Sequence, residues 1–427
     1  MFADAESSSQ PFAGVRVVEF GQFVAVPFAA QLLAEGGAEV IKIEALQGDP
    51  TRLLRPLAPG ETRIFLSRNR GKHSLPLDLR DAAVKPVLDA LLEWADVALM
   101  NFRPGLAQQL GLDAATLAAR FPRLIIGTVT AFGNRGPDAG LAGMDIVVQA
   151  RSGLMAANGR IVDGRPAPGD PVSADYMCAM TLAFGIASAL LRRERSGKGG
   201  IVDTSLMQAA MTLANNQLTR SEDHDRPVHD EILTRLAEQR VAGASYAEQA
   251  GGIPGTRTMP MAKVYFRTYE TADSVIAIAC GSHALRERFI AAIGLQDPAL
   301  ASLNEAEWND HYDTLRDQAE AIMRSEPSAH WIAVLNAAGV PVSAVKFPVE
   351  LFDDPQAAAN DMFHLLEHPS AGRVKVLSPP VSLDGEGFRP GRPTAALGSE
   401  TRAILLELGF AESDVDEMIA SNVTHCG

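Results

Sequence analysis

Short apolar runs alternate with segments of helical period through the first half of the chain. Residues 15–20 form a run of strand length, and a helical pattern over 27–35 ends at Gly36-Gly37. Runs at 38–44 and 74–79 repeat the strand signature, and a helical pattern follows over 82–94. Residues 96–101 and 124–132 read as two more strands, separated by a helix around 107–119. Helices at about 175–195 and 204–219 flank a short strand near Ile201-Val202. Strands alternating with helices predict parallel pairing through right-handed crossovers, hence an α/β fold with an open, doubly wound sheet. Ligands on such sheets lodge beyond the carboxyl ends of the strands. Ala45, Asn101-Phe102 and the stretch from Thr130 to Gly133 fall at those ends.

The alternation stops after residue 219. Residues 220–262 are polar and punctuated by Gly and Pro, ending in Ala-Gly-Gly-Ile-Pro-Gly-Thr-Arg-Thr-Met-Pro at 250–260. So long a stretch without periodicity predicts a linker or a functional loop. Two strand-like runs, 265–270 and 275–280, then frame a turn at Thr271-Ala272-Asp273-Ser274, and helices follow near 283–293 and 311–324, as in a small α+β domain. A helix at 328–338 and a strand at 340–345 are expected to lead back to the first domain, whose last helix lies at about 398–409. The division read from this pattern is a large domain over 11–222, a linker over 223–262, a small domain over 263–327, and a return with the C-terminal part of the large domain over 328–427.

Composition narrows the class. A chain of 427 residues with 47% hydrophobic and 21% charged positions has the length of two domains and the balance of a soluble globular protein. The first ten residues hold two acids and no base, which reads as a loose tail rather than a signal peptide. The longest apolar stretch, 176–191, falls short of a membrane span and reads as a buried helix, so no membrane partner is expected. Cys178, Cys280 and Cys426 are odd in number and in no metal-ligand spacing, which points to a reducing cytoplasm and to no metal site. A formal charge of −14 argues against nucleic acid as a partner. The sign reverses locally, where Arg52, Arg55, Arg63, Arg68, Arg70, Lys72 and Arg80 meet only Glu61 and Asp78. Such an island is either a solvated face or a seat for a small polyanion.

Familiar nucleotide and hydrolase signatures are missing. Neither a P-loop nor a G-x-S-x-G elbow occurs, and the turn after the first strand, Gly21-Gln22-Phe23-Val24-Ala25-Val26-Pro27, lacks the dinucleotide fingerprint. The segment Gly169 to Leu191 places one carboxylate, Asp175, where a Pro/Gly-rich loop turns into an almost wholly apolar helix. With Ser173 as N-cap, Asp175 is expected in the first turn, near free backbone N–H groups and the positive end of the helix dipole. That setting keeps a carboxylate ionised in apolar surroundings, as a carboxylate nucleophile requires. An acid that merely decorates a helix start is the other reading.

Several stretches together resemble the family III CoA-transferases, the group that includes formyl-CoA transferase, carnitine CoA-transferase and the α-methylacyl-CoA racemases. They are Leu-Leu-Ala-Glu-Gly-Gly-Ala-Glu-Val-Ile-Lys-Ile-Glu at 32–44, Gly48-Asp49-Pro50-Thr51-Arg52, Asn69-Arg70-Gly71-Lys72-His73-Ser74 and Asn101-Phe102-Arg103-Pro104-Gly105. Further on come Phe132-Gly133-Asn134-Arg135-Gly136-Pro137, Gly143-Met144-Asp145, Ser196-Gly197-Lys198-Gly199-Gly200, Asp354-Pro355-Gln356 and His368-Pro369. Their order and spacing over about 14–380 carry the resemblance.

The resemblance implies a Rossmann-like large domain with an open parallel sheet formed by both chain ends, a small domain, and two subunits interlocked as a homodimer. It implies that Asp175 is the nucleophile, which attacks an acyl-CoA thioester and passes through an aspartyl–acyl anhydride and an aspartyl-CoA thioester. The substrates are then an acyl-CoA and a carboxylic acid, with coenzyme A a substrate and no prosthetic group or metal. Coenzyme contacts map onto Val24, Ala25, Leu77, Arg80, Asn101, Phe102, Arg103, Thr130, Phe132 and Gly133. Ala45, Gln109 and Thr130 stand where some members carry a base, and Arg52, Arg70, Lys72 and Arg103 are candidates to make up that charge. Gly251-Gly252-Ile253-Pro254-Gly255 stands where some members have a mobile active-site loop. The racemase branch moves an α-proton with a histidine where this chain has Met144, and a thioether accepts no proton near neutral pH. Transfer is therefore the favoured activity, with racemisation and a catalytically silent CoA-binding protein as alternatives.

Overall fold

The computed structural model describes residues 9–169, 171–251, 253, 260–300, 308–384 and 388–427. Six strands form one parallel sheet: β1 (Arg16–Phe20), β2 (Glu39–Glu44), β3 (Lys72–Pro76), β4 (Val97–Met100), β5 (Ile125–Thr130) and β6 (Gly200–Ser205). Their order across the sheet is β6-β5-β4-β1-β2-β3. Strand order reverses between β1 and β4, which is the switch point of a dinucleotide-type sheet. The four inner strands are rich in Val, Ile and Leu because both faces are covered.

One face is covered by α1 (Ala25–Glu35) and by two later helices, Ser173–Ser196 and Leu206–Leu213, which share a core with Val17, Val40, Leu99 and Ile125. The other face carries Lys85–Trp94 and Ala114–Arg120 together with the C-terminal helices Thr401–Glu407 and Glu412–Ala420. Two glycines permit close approaches between the sheet and its helices. A Cβ on Gly21 would lie 2.3 Å from Val26 Cγ1, and one on Gly185 would lie 2.5 Å from Val202 Cγ1. The strand-to-helix turn after β1 is therefore tight without the usual glycine triplet.

Two compact units emerge, 1–250 with 358–427, and 251–357. All six sheet strands come from the N-terminal part, so the sheet is not built by both chain ends as expected. The C-terminal part supplies two helices and a separate hairpin, Phe363–His368 with Gly372–Leu377. It is stitched to the β3 edge by Asp78 N–H donating to Val423 O at 3.0 Å and by Thr424 Oγ1 donating to Pro76 O at 2.6 Å.

The second unit has its own core around Tyr265, Tyr269, Phe289 and Trp331. Its hairpin pairs Phe266–Glu270 with Val275–Ala279 about the anticipated turn. Ser328–Ala337 and Val342–Ala344 stay in this unit, since Ile276, Ala277 and Ile278 pair with Ala344, Ser343 and Val342. The passage back therefore comes later than residue 328.

Three local differences have local causes. The helix expected at 107–119 is two helices, because Gly111 at φ +68° ends Leu106–Leu110 and Asp113 caps Ala114–Arg120. The expected linker contains a 16-residue helix, Arg226–Val241, with no buried residue. Strong helix formers build it without an apolar stripe to announce it. Ser173–Ser196 has the length and apolarity of a membrane span. It nevertheless packs Ala174, Cys178, Leu182, Ile186 and Leu190 into the core.

A buried charge network crosses β1, β2 and β3. Glu19 of β1 sits opposite Lys42 of β2 and receives its ammonium at 3.0 Å through Oε1, while Lys72 of β3 reaches Oε2 at 2.7 Å. Lys42 also meets Asp49 at 3.1 Å. Burial alone would depress Lys42, but Glu19, Asp49 and Glu44 outweigh it and hold the ammonium above its ordinary range. Burial pushes Lys72 down to about 8 against the pull of Glu19, and the Lys42 charge adds to the depression. Glu19→Gln leaves two buried ammonium groups short of their shared acid, and is expected to cost about 3–5 kcal/mol in urea unfolding. The double variant Glu19→Gln/Lys72→Met is expected to recover part of that loss, which an additive pair of effects would not produce.

Candidate active site

The turn after β1 and the segment after β4 meet at the switch point. Asn101 closes them together: its Oδ1 accepts the Gln22 N–H at 3.0 Å and its Nδ2 donates to Gln22 O at 2.8 Å. Phe102 packs against Phe20 with ring centroids 5.8 Å apart. Val24 precedes α1 without a side-chain cap, and Val24 and Ala25 are buried. After β5, Gly133 at φ +97° folds back so that its N–H donates to Thr130 Oγ1 at 3.1 Å. After β3, Leu77 is buried in the core and Arg80 is exposed. All ten sequence-predicted coenzyme residues lie at or just past the carboxyl ends of β1, β3, β4 and β5. Asn101 holds its neighbouring loop with both ends of its amide, and Leu77 turns its side chain inward.

Asp175 stands in the first turn of Ser173–Ser196, whose start packs on α1; the Tyr176 ring meets Phe28 edge-on at 5.0 Å. Ser173 is the first helical residue and caps nothing. Asp145 takes that part: its Oδ1 accepts the N–H groups of Ala174 at 2.9 Å and Asp175 at 3.2 Å, and its other oxygen accepts from Gln149. Asp145 is thus the buried anion at the helix start. Asp175 is half-buried, and its carboxylate makes no hydrogen bond or ion pair among the described residues. Burial first, then the Asp145 charge, push Asp175 up to about 7, with Arg68 opposing. The expected ionisation by free helix amides is corrected accordingly, because a different carboxylate occupies those amides.

The basic island divides. Arg52 forks onto Glu44 at 2.8 Å through both Nε and Nη2, Arg70 pairs with Glu35 at 2.6 Å, and Lys72 pairs with Glu19. These three are buried and neutralised inside the domain, so they are not the replacement phosphate ligands that the sequence suggested. Arg80 and Arg103 remain exposed and carry no ion pair among the described residues. Arg68 donates through Nε to Tyr176 Oη at 3.3 Å, beside Asp175. Cys178 is buried, and burial pushes its thiol up to about 11, which leaves it protonated and inert.

Met144 is 58% exposed and Asp145 is buried, so the Met-Asp pair points its two side chains to different surroundings. The Asp145 cap was not visible in sequence, since it reaches across 29 residues; the only signal was an acid ahead of the apolar run Ile146-Val147-Val148. No cluster of three or more His, Cys, Asp or Glu forms a metal-like group among the described residues. Gly252, Pro254 and Gly255 of the suggested loop lie outside the described residues. A groove of about 710 Å³ in the second unit, lined by Lys263, Phe266, Arg267 and Arg316 among others, includes none of the candidate residues.

Comparison with known proteins places this geometry in a family. The chain is 26% identical over 430 residues to cinnamoyl-CoA:phenyllactate CoA-transferase of Clostridium sporogenes, with 97% of each chain covered. It is 32% identical over 392 residues to acetyl-CoA:oxalate CoA-transferase of Acetobacter aceti, covering 90% of this chain and 92% of that one. The crystal structure of Rv3272 from M. tuberculosis superposes with a TM-score of 0.75 at 27% identity, over 93% of this chain and 99% of that one. A CAIB/BAIF family protein from Brucella suis does so with a TM-score of 0.74, also at 27% identity, over 93% and 99%. The description CoA-transferase family III matches residues 12–401. A six-stranded parallel sheet with this strand order, and sequence kinship along nearly its whole length, make the chain a member of the family III CoA-transferases.

Proposed function

We propose that this enzyme moves coenzyme A from an acyl-CoA to a free carboxylic acid through covalent intermediates on Asp175. The observation that carries the reading is the state of that carboxylate: half-buried at the start of a core helix, with no hydrogen-bond or ion-pair partner among the described residues. Asp145 already fills the structural role, which leaves Asp175 free to react.

The steps balance without an energy source. An Asp175 oxygen attacks the thioester carbonyl; the C–O bond forms, the C–S bond breaks, and CoA leaves as thiolate. The thiolate attacks the aspartyl carbonyl of the mixed anhydride, forming an aspartyl thioester and releasing the first acid as its carboxylate. The acceptor carboxylate attacks that thioester, giving a second anhydride and the thiolate again. Thiolate attack on the acceptor's acyl carbon then yields the new acyl-CoA and restores Asp175. Each anhydride must react with thiolate before water reaches it, so the reading requires water to be kept from Asp175 during turnover.

The coenzyme lies along the carboxyl edge of the sheet in this reading. The uncapped start of α1 at Val24-Ala25 offers N–H groups to phosphate oxygens. Arg80 beyond β3 and Arg103 beyond β4 bring exposed cations to the edge, Phe102 and Phe132 give apolar surface, and Asn101, Thr130 and Gly133 fix the loops between. We further infer the interlocked homodimer. Phe184 at 75% and Leu191 at 57% exposure on the long helix, with Arg226–Val241 burying nothing, leave surface for a second subunit. Light scattering is expected to give twice the 45.5 kDa chain mass, and a monomer would refute that assembly.

Incubation with acetyl-CoA, succinyl-CoA or cinnamoyl-CoA followed by hydroxylamine is expected to leave a hydroxamate on Asp175, read by peptide mass spectrometry. Asp175→Ala is expected to lower exchange at least ~10³-fold; retained exchange would remove Asp175 from the reaction. Deuterium entering the α-carbon without any acid acceptor would mark a racemase instead.

The shift on Asp175 gives two pH effects. Only the ionised form attacks, so single-turnover acylation is expected to rise with pH through about 7 and then level off. Asp145→Asn keeps a capping oxygen but removes the neighbouring charge, and is expected to move that midpoint to lower pH. In folding the sign is opposite. An acid whose folded pKa is raised binds more protons folded than unfolded, so its contribution to stability falls as pH rises from about 4 to about 7. Asp175→Asn is therefore expected to raise Tm relative to the parent at pH 8 and to leave it unchanged at pH 3.

A further inference from the structure

Arg68 stands apart from the three buried bases of its stretch and, being half-buried, from the exposed ones. It lies in the last turn of the helix Arg63–Asn69, half-buried, and forms no ion pair among the described residues, whereas Arg52, Arg70 and Lys72 are each matched to an acid. Its Nε donates to Tyr176 Oη at 3.3 Å, and its guanidinium carbon lies 5.5 Å from the Tyr176 ring centroid. The remaining four N–H donors of the fork carry no hydrogen bond among the described residues. The residue is also held from behind. Thr62 caps its helix through the Phe65 N–H at 3.0 Å, and the buried Lys72 ammonium binds the Arg68 carbonyl at 3.0 Å and the Pro27 carbonyl at 2.8 Å. A preorganised cation with an open fork is thus fixed one residue from Asp175.

An organic acid approaching this helix start meets two carboxylates, Asp145 and Asp175, in a chain of net charge −14. Arg68 is the neighbour whose charge opposes theirs. We propose that Arg68 grips the second, non-reacting carboxylate of a dicarboxylic acid acceptor and so sets the enzyme's preference for dicarboxylates; this rests on the transferase reading above. The reacting carboxylate is not the group held, because a two-pronged clamp would occupy both of its oxygens and withdraw the electron density needed for attack on the aspartyl thioester. Held at its far end, the acid is oriented with its nucleophilic oxygens free, and remote binding energy is converted into positioning. The contact with Tyr176 orients the planar fork, which a lysine ammonium would not reproduce.

The test compares glutarate with valerate, and succinate with butyrate, as acceptors. The donor is whichever of acetyl-CoA, succinyl-CoA and cinnamoyl-CoA acylates Asp175 fastest. The parent enzyme is expected to prefer the diacid of each pair. In Arg68→Met the ratio of kcat/KM for the diacid over the monoacid is expected to fall about 10- to 100-fold, the worth of one charged hydrogen-bonded contact, chiefly through KM. Arg68→Lys is expected to lie between the two. Changes in Asp175 ionisation affect both acids alike and cancel in the ratio, and turnover of the monoacid reports a folded enzyme. A ratio held within about twofold in both variants, or a parent that prefers monoacids, overturns the assignment of Arg68. Failure of every ester to acylate Asp175 in the parent is a separate result and overturns the transferase reading itself.

Discussion

Glu19 is the residue on which the order of β1, β2 and β3 rests. It sits on the strand beside the sheet's switch point and answers two ammonium groups arriving from the next two strands. Because all three are buried, the register of β1, β2 and β3 is fixed by charge as well as by apolar packing: slipping any strand would strand an ion in the core. The same network reaches outward. Lys42 binds Gly21 O at 2.7 Å, at the turn into α1, and Lys72 binds the carbonyls of Pro27 and Arg68. One shared acid therefore ties the sheet to the turn beyond β1 and to the helix that carries Arg68.

A second constraint governs the reactive end of the long helix. Two acids compete for the free amides there, and the buried one, Asp145, holds them. Burial and then the Asp145 charge act on the Asp175 anion as a destabilising field, with Arg68 opposing them. The arrangement separates capping from reactivity. A single acid doing both would be stabilised as an anion by the amides and made a poorer nucleophile in proportion.

The sheet was legible in the chain because its inner strands are buried and rich in Val, Ile and Leu, so 15–20, 38–44, 124–132 and their neighbours appeared within a few residues of their true limits. The small unit's hairpin was legible for a different reason, a compact polar turn between a run holding Phe, Thr and Tyr and a Val/Ile run. Features settled by long-range geometry were not. Arg226–Val241 lacks an amphipathic stripe, the C-terminal segment adds helices rather than a strand, and Ser328–Ala337 joins the second unit. At the candidate site the position of Asp175 at a helix start followed from local sequence, but its electrostatics did not, since the capping partner lies 29 residues away. The basic stretch shows the same limit: a count of arginines cannot tell which will meet Glu35 or Glu44 in the core and which, like Arg68, will be left open.

The paired amide bonds between Asn101 and Gln22 carry a consequence for how the crevice receives a guest. Two loops that would otherwise fluctuate independently are latched into one rigid lip before anything enters. Their disorder is surrendered when the chain folds, so association need not draw on it again. Entry at this rim should then resemble a key meeting a finished lock, and whatever mobility turnover requires must be found in segments away from the switch point.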